Sequence, residues 1–283
     1  MKKTAWTKFP YDQKGFDFAG DKLKKAWTGL HAGDGEPFPD DKRAASLIKA
    51  AGKSASKGLD AAALASALQD AWRAFHRGDF QKAYEAGEAL GPIGSSVAVK
   101  ALGIHATYLV ADEAEQLSRF ERGAALADAA KSALPDEANS HYRHAFALGR
   151  YSQGINIAKA LKMGLAGKVR ESLDRAIKLD GKHAEAHTAL ALYHAEIIGK
   201  IGALIGGMTY GAKAAEAEKH IQLALKLTPD SPIAHVEHGN LLLLLHGDKK
   251  EDDAAAAYEK ASKMKPKDAM EKLDCEHARE QIE

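Results

Sequence analysis

At 283 residues, 45% of them hydrophobic and 28% charged, the chain is long enough for two ordinary domains or one array of small repeats, and too apolar for wholesale disorder. Its 40 Lys and Arg against 39 Asp and Glu leave a formal charge of +1, which excludes an overall basic field for nucleic acid or an anionic membrane, a local patch aside. A single cysteine, Cys275, excludes an intrachain disulfide framework and a Cys-rich zinc or iron–sulfur site.

From the start of the chain, lysines are followed by Trp6, Phe9 and Pro10 rather than by an apolar run, which is not a signal peptide. The longest apolar runs, such as residues 241–245, are far too short to span a bilayer. These features predict a soluble, cytoplasmic protein with no transmembrane segment. Residues 19–31 and 40–57 are expected to form a first helical hairpin, with Asp21 and Asp60 as N-caps and with Pro37 and Pro39 breaking the chain between its helices. Beyond residue 59, turn-forming pairs recur at short intervals: Gly78-Asp79, Gly91-Pro92, Leu134-Pro135, Asp180-Gly181, Pro229-Asp230, Gly247-Asp248 and Lys265-Pro266. Between them apolar residues recur at three- and four-residue steps, as at Leu173, Ala176 and Ile177, and no segment alternates with period two. The fold class predicted is therefore all-α, more than about two-thirds helical, with short connections between antiparallel neighbours.

Three segments align without gaps: 138–145, 184–191 and 232–239. Each has a histidine at the fourth place (His141, His187, His235) and a small residue at the eighth (Ala145, Ala191, Gly239). Each follows a helix that ends alike, at Pro135, Gly181 and Pro229, and a fourth such ending closes at Pro266. In the last unit Gly239-Asn240 is followed by Ala254, Tyr258, Ala261 and Pro266. Gly123, Ala127, Ala130 and Pro135 make the same series earlier. On these residues the sequence resembles the tetratricopeptide-repeat (TPR) family, whose unit is a pair of antiparallel helices in about 34 residues. It departs from the family pattern at the fourth place, where histidine replaces an aromatic, and at the seventh, where His144 and His238 replace leucine. An N-terminal echo, in which the segment around Trp27 and His31 resembles that around Trp72 and His76, extends the resemblance to about residues 17–266. It implies an α-solenoid of about five TPR-like helical hairpins. Residues 1–58 would form an N-terminal segment with a degenerate hairpin, 59–266 the repeat array, and 267–283 a C-terminal capping helix.

The same resemblance implies a concave surface lined by the first helix of each hairpin. It nominates Trp27, His31, Trp72 and His76; Asn139, Tyr142, Phe146 and Arg150; Glu185, Thr188, Leu192 and Glu196; and Ile233, Val236 and Asn240. Aromatics beside Arg are common binding anchors, although a Trp at such a place is equally a core residue. The Lys/Asn/Arg clamp that some members of the family use on chaperone carboxylates is missing from these places. The expected function is a non-catalytic module that binds a protein, as a peptide or a helix, in its groove. A small-ligand binder is the first alternative and a His-dependent metalloprotein the second.

Catalytic and cofactor chemistry finds little support. His183 and His187 lie four apart, a spacing that can hold zinc, but no Glu follows His183 directly, and His187 occupies the repeated packing place. Gly52-Lys53-Ser54 lacks the upstream glycine of a phosphate-binding loop, because position 47 is Leu47. Cys275 lies in a charged terminal helix near His277. No catalytic residue, metal or cofactor is expected. The glycine-rich stretch 199–211 falls between the two helices of one hairpin. It is read as an extended helix packed on a neighbouring repeat, a lid over the groove, a weak self-association surface or a peripheral membrane contact. Its long hairpin also resembles those of the regulator-of-microtubule-dynamics family and the TRAP-transporter T component.

Overall fold

The structure, a computed structural model, describes residues 6–283. Among the described residues 77% are helical and none lies in a strand, as the apolar period predicts. No described helix is long and apolar enough to cross a membrane. The chain divides into two compact units, Met1–Thr28 with Glu36–Leu179, and Gly29–Gly35 with Asp180–Glu283.

In the first unit a short helix, α1 (Lys22–Leu30, whose last two residues belong to the second unit), precedes α2 (Asp41–Ala51), α3 (Ala61–Arg77), α4 (Phe80–Ala89), α5 (Ser95–Leu109) and α6 (Glu113–Ala133). Then come α7 (Ala138–Gln153), a one-and-a-half-turn α8 (Ile157–Lys162) and α9 (Leu165–Leu179). Each long helix packs on the next in chain order: α3 on α4, α4 on α5, α5 on α6, α6 on α7 and α7 on α9. Asp60 caps α3 as predicted, its Oδ1 accepting from Ala63 N at 2.8 Å. Asp21 precedes α1, and its carbonyl accepts from Lys25 N at 3.1 Å.

The first hairpin is built differently from the expectation. α2 packs on α3 rather than serving as partner to α1. Ala44 and Leu47 of α2 share one apolar core with Leu64, Ala65 and Leu68 of α3 and with Leu90, Ile93 and Leu134. The reason is the extended run through Pro37 and Pro39, which cannot make the tight turn that a hairpin needs.

In the second unit α10 (Ala184–Ile201) leads through α11 (Ala203–Tyr210) to α12 (Ala214–Leu227), and α13 (Pro232–His246) pairs with α14 (Glu251–Ser262). The last helix, α15 (Ala269–Glu280), packs on α13 and α14. Small residues sit where helices approach. A Cβ on Gly239 would lie 2.5 Å from the Tyr258 ring, whose hydroxyl donates to Asn240 Oδ1 at 2.8 Å. Gly239→Ala should therefore cost about 1–3 kcal/mol through overpacking. At Gly149, inside α7 with open space around it, Ala should instead add up to about 1 kcal/mol through helix propensity. Urea midpoints measure both, and equal signs would contradict the packing account.

The repeated histidines share one device. His141 Nε2 donates to Pro135 O at 2.8 Å, His187 Nε2 to Gly181 O at 3.1 Å, and His235 Nε2 to Pro229 O at 2.9 Å. A carbonyl only accepts, so each ring carries its proton on Nε2. Every bond spans six residues and ties the start of a hairpin's first helix to the turn before it. That geometry gives the recurrent histidine at the fourth place a structural role.

A candidate binding groove lined by the first helices

The nominated residues of the first unit converge. Trp72 is only 2% exposed and Trp27 and His76 are buried with it. The Trp27 ring meets Trp72 edge-on at 5.8 Å and His76 at 6.2 Å, and His76 stacks on Trp72 at 5.7 Å. Edge-to-face pairs of this kind add about 0.5–1.5 kcal/mol each beyond their buried area. Trp72 and His76 do not face open solvent, which corrects the expectation of an exposed strip. The α1 segment covers them: Trp27 comes from α1, and Phe18 stands edge-on to His76 at 5.6 Å.

Where the chain returns to the first unit at Glu36, it meets α5 and α7. Trp27 Nε1 donates to Glu36 O at 2.6 Å. The Glu36 carboxylate accepts from Ser96 Oγ of α5 at 2.5 Å and from Asn139 Nδ2 of α7 at 2.9 Å. Arg143, buried although charged, donates from Nε to the same Ser96 Oγ at 3.5 Å. Its guanidinium also lies over the Tyr142 ring at 5.1 Å. Beside them Arg43 forms a two-pronged pair with Glu137, at 2.7 and 2.5 Å. Tyr142 is buried and Phe146 half-buried, with ring centroids 6.4 Å apart. Arg150 is half-buried near the end of α7 and donates to Gln153 Oε1 at 3.3 Å.

Upstream, the chain from Trp6 to Phe16 is pinned to the same unit. Trp6 lies 4.5 Å from the His105 ring and 5.3 Å from Tyr84, and the Arg119 guanidinium covers it at 4.1 Å. His105 Nε2 donates to Thr7 O at 2.9 Å, while Arg119 Nη1 donates to His105 Nδ1 at 2.6 Å. The Arg119 bond requires a neutral ring, because a protonated Nδ1 cannot accept. Burial, with the Arg119 charge adding to it against the Thr7 bond, pushes His105 down to about 4. His144 is held near the same value by burial and by the Lys131 charge.

In the second unit the nominated residues are tied into packing. His31 is buried against Asp34, Nδ1 to Oδ1 at 2.8 Å. Glu185 N donates to Gly33 O at 2.9 Å. Thr188 Oγ1 donates to Ala184 O at 3.1 Å, and Glu196 pairs with Lys200 at 2.9 Å. Leu192 packs against the core of Ala191, Ala195, Ala217, Ile221 and Leu241. Val236 and Ile233 belong to the cluster around Tyr258, and Asn240 Nδ2 donates to Glu237 Oε2 at 2.7 Å. These residues do not assemble into one open surface.

His187 Nδ1 lies 2.8 Å from His220 Nδ1; since His187 already donates through Nε2, His220 is the donor here. Among the described residues no three His, Cys, Asp or Glu side chains gather as a metal-binding group. Cys275 is buried, and burial with the Asp274 charge pushes its thiol up to about 12, far from a nucleophile's range.

Sequence reasoning passed over Phe18, Glu36, Ser96 and Arg143. The one legible signal was Glu36-Pro37-Phe38-Pro39, an acid and an aromatic held extended by two prolines. Compared with protein-family models and with curated proteins, the sequence matches none.

Proposed function

We propose that the chain is a non-catalytic, TPR-type interaction module whose groove takes a segment with an aromatic anchor followed by a carboxylate. One observation carries this reading. Three of the first-helix residues that the family resemblance nominates in the first unit, Trp72, His76 and Asn139, are touched by Phe18, Trp27 and Glu36 of the same unit. Trp27 fills the aromatic pocket and Glu36 takes the hydroxyl and amide donors on α5 and α7. Recognition is passive: preformed helices offer an apolar pocket and fixed donors, and no bond is made or broken. A partner that presents the same two chemical features competes with the intramolecular segment. Because that segment is tethered, its effective concentration is on the order of millimolar, and it keeps the resting groove closed to weak ligands.

A labelled peptide spanning residues 18–40 tests this by fluorescence anisotropy on the full-length chain. The Trp27→Ala/Glu36→Lys variant weakens the tethered segment, and the peptide should bind it at least tenfold more tightly than it binds the wild-type chain. If a folded variant and the wild type both ignore the peptide, residues 18–40 are ordinary core and the groove reading falls.

A further inference from the structure

The largest exposed apolar side chains in the second unit cluster on α11. Gly202, at φ +81°, ends α10 and turns the chain into this short helix. On its inner side Gly206 is buried, and a Cβ there would lie 2.9 Å from Ile197 Cγ2. The outer side carries Leu204, Ile205 and Met208, which are 77%, 58% and 82% exposed. Their spacing places them on one face of the helix. Leu243 and Leu244, at the end of α13, are also exposed, and Leu244 Cδ2 lies within 3.6 Å of the Cβ position of Gly199 at the end of α10. Leu244 thus adds exposed apolar surface beside the end of α10, the helix that leads into α11.

Charge identifies what covers it. Residues 201–212 carry no charged side chain, and the stretch is bracketed by Lys200, which pairs with Glu196 at 2.9 Å, and by the exposed Lys213. The patch offers aliphatic side chains, methionine, glycine and flanking lysines. Protein interfaces are enriched in aromatics, Met and Arg and depleted of Lys; the patch shares the methionine, but it has no Arg and is flanked by Lys. Apolar side chains with flanking lysines suit the headgroup–acyl boundary of an anionic bilayer. In the first unit α8 repeats the composition. Ile157, Leu161 and Met163 are exposed there, and residues 154–169 include Lys159, Lys162 and Lys168 but no acid.

We propose that α11, with the end of α13, is a lipid-contact surface that docks the second unit on an anionic phospholipid membrane. Leu204, Ile205 and Met208 enter the acyl boundary, and Lys213 meets the phosphates. This surface is independent of the groove and of what the groove binds.

Vesicle flotation of the full-length protein tests it, using phosphatidylcholine alone and phosphatidylcholine with about 30% phosphatidylserine. The wild type should float with the anionic vesicles at least tenfold more than with the neutral ones. Leu204→Ser/Met208→Ser should lose at least tenfold of that binding with an unchanged melting curve, since both side chains are already in water. Lys213→Glu should weaken it several-fold and blunt its salt dependence. Two results would overturn the proposal: no flotation of the wild type, or flotation equal in the serine variant. A concentration-dependent dimer that the serine variant dissolves, with no vesicle binding, would also overturn it and assign the patch to a second copy of the chain.

Discussion

Trp72→Ala should lower the stability of the first unit by about 3–5 kcal/mol, the cost of emptying a fully packed aromatic site. For a unit of this size that corresponds to a fall of roughly 10 °C in Tm. The loss is this large because Trp72 touches Trp27, Phe75 and His76 at once, with ring centroids between 5.6 and 5.8 Å, so the cavity cannot be refilled by one neighbour moving. Arg150→Ala is the contrast: half-buried, with its donor bond to a neighbour on the same helix, it should change stability by no more than about 0.5 kcal/mol. Paired melting curves decide between anchor and core. A Trp72→Ala protein that melts like the wild type would show that the aromatic cluster is dispensable to the fold.

Acid should be the second large effect. In the unfolded chain histidine titrates near 6.5, whereas His105 and His144 sit near 4 in the fold because they are buried. Between those values the unfolded chain binds more protons than the native one, so stability rises with pH across the window. The contribution is complete above about pH 6.5 and is lost progressively as pH falls towards 4. At pH 5 each of these histidines should cost about 2 kcal/mol relative to pH 7. Burial pushes His141, His235 and His238 the same way. His105→Gln keeps an acceptor for Arg119 and a donor for Thr7 while removing the titration. Its urea midpoint should therefore fall less between pH 7 and pH 5 than that of the wild type. An identical fall in both proteins would show that His105 is not held neutral.

The repeat pattern was legible because it is local. The small residue at Gly239, the aromatic at Tyr258 and the recurrent histidines each meet partners within one hairpin or one turn, and those partners lie at fixed, short sequence separations. The path of residues 18–40 was not legible. Trp27 looked like the counterpart of Trp72 in a stacked repeat, and the two are instead partners in contact. Nothing in the local pattern distinguishes those two roles, because both want an aromatic on an apolar face. Glu36 read as a loop acid between two helix breakers, since its partners Ser96 and Asn139 lie far along the chain. The inner faces expected to be open are filled by the chain itself. The glycine-rich stretch was ambiguous for a different reason. Whether it runs as one helix depends on the backbone at Gly202, where the positive φ breaks it.

The separation between Glu36 and Asn139 has a further consequence for how the protein is made. Glu36 is translated 103 residues before the amide that receives it, an interval of roughly 5 to 20 s at ordinary elongation rates. Trp27 likewise emerges well ahead of Trp72 and His76. The segment therefore leaves the ribosome with its aromatics bare, and its docking sites appear only as α3, α5 and α7 are completed behind it. Glu36 therefore cannot reach its native partners until α5 and α7 have been made. During that wait the nascent chain exposes Phe18, Trp27 and Phe38, which the folded first unit shelters in whole or in part.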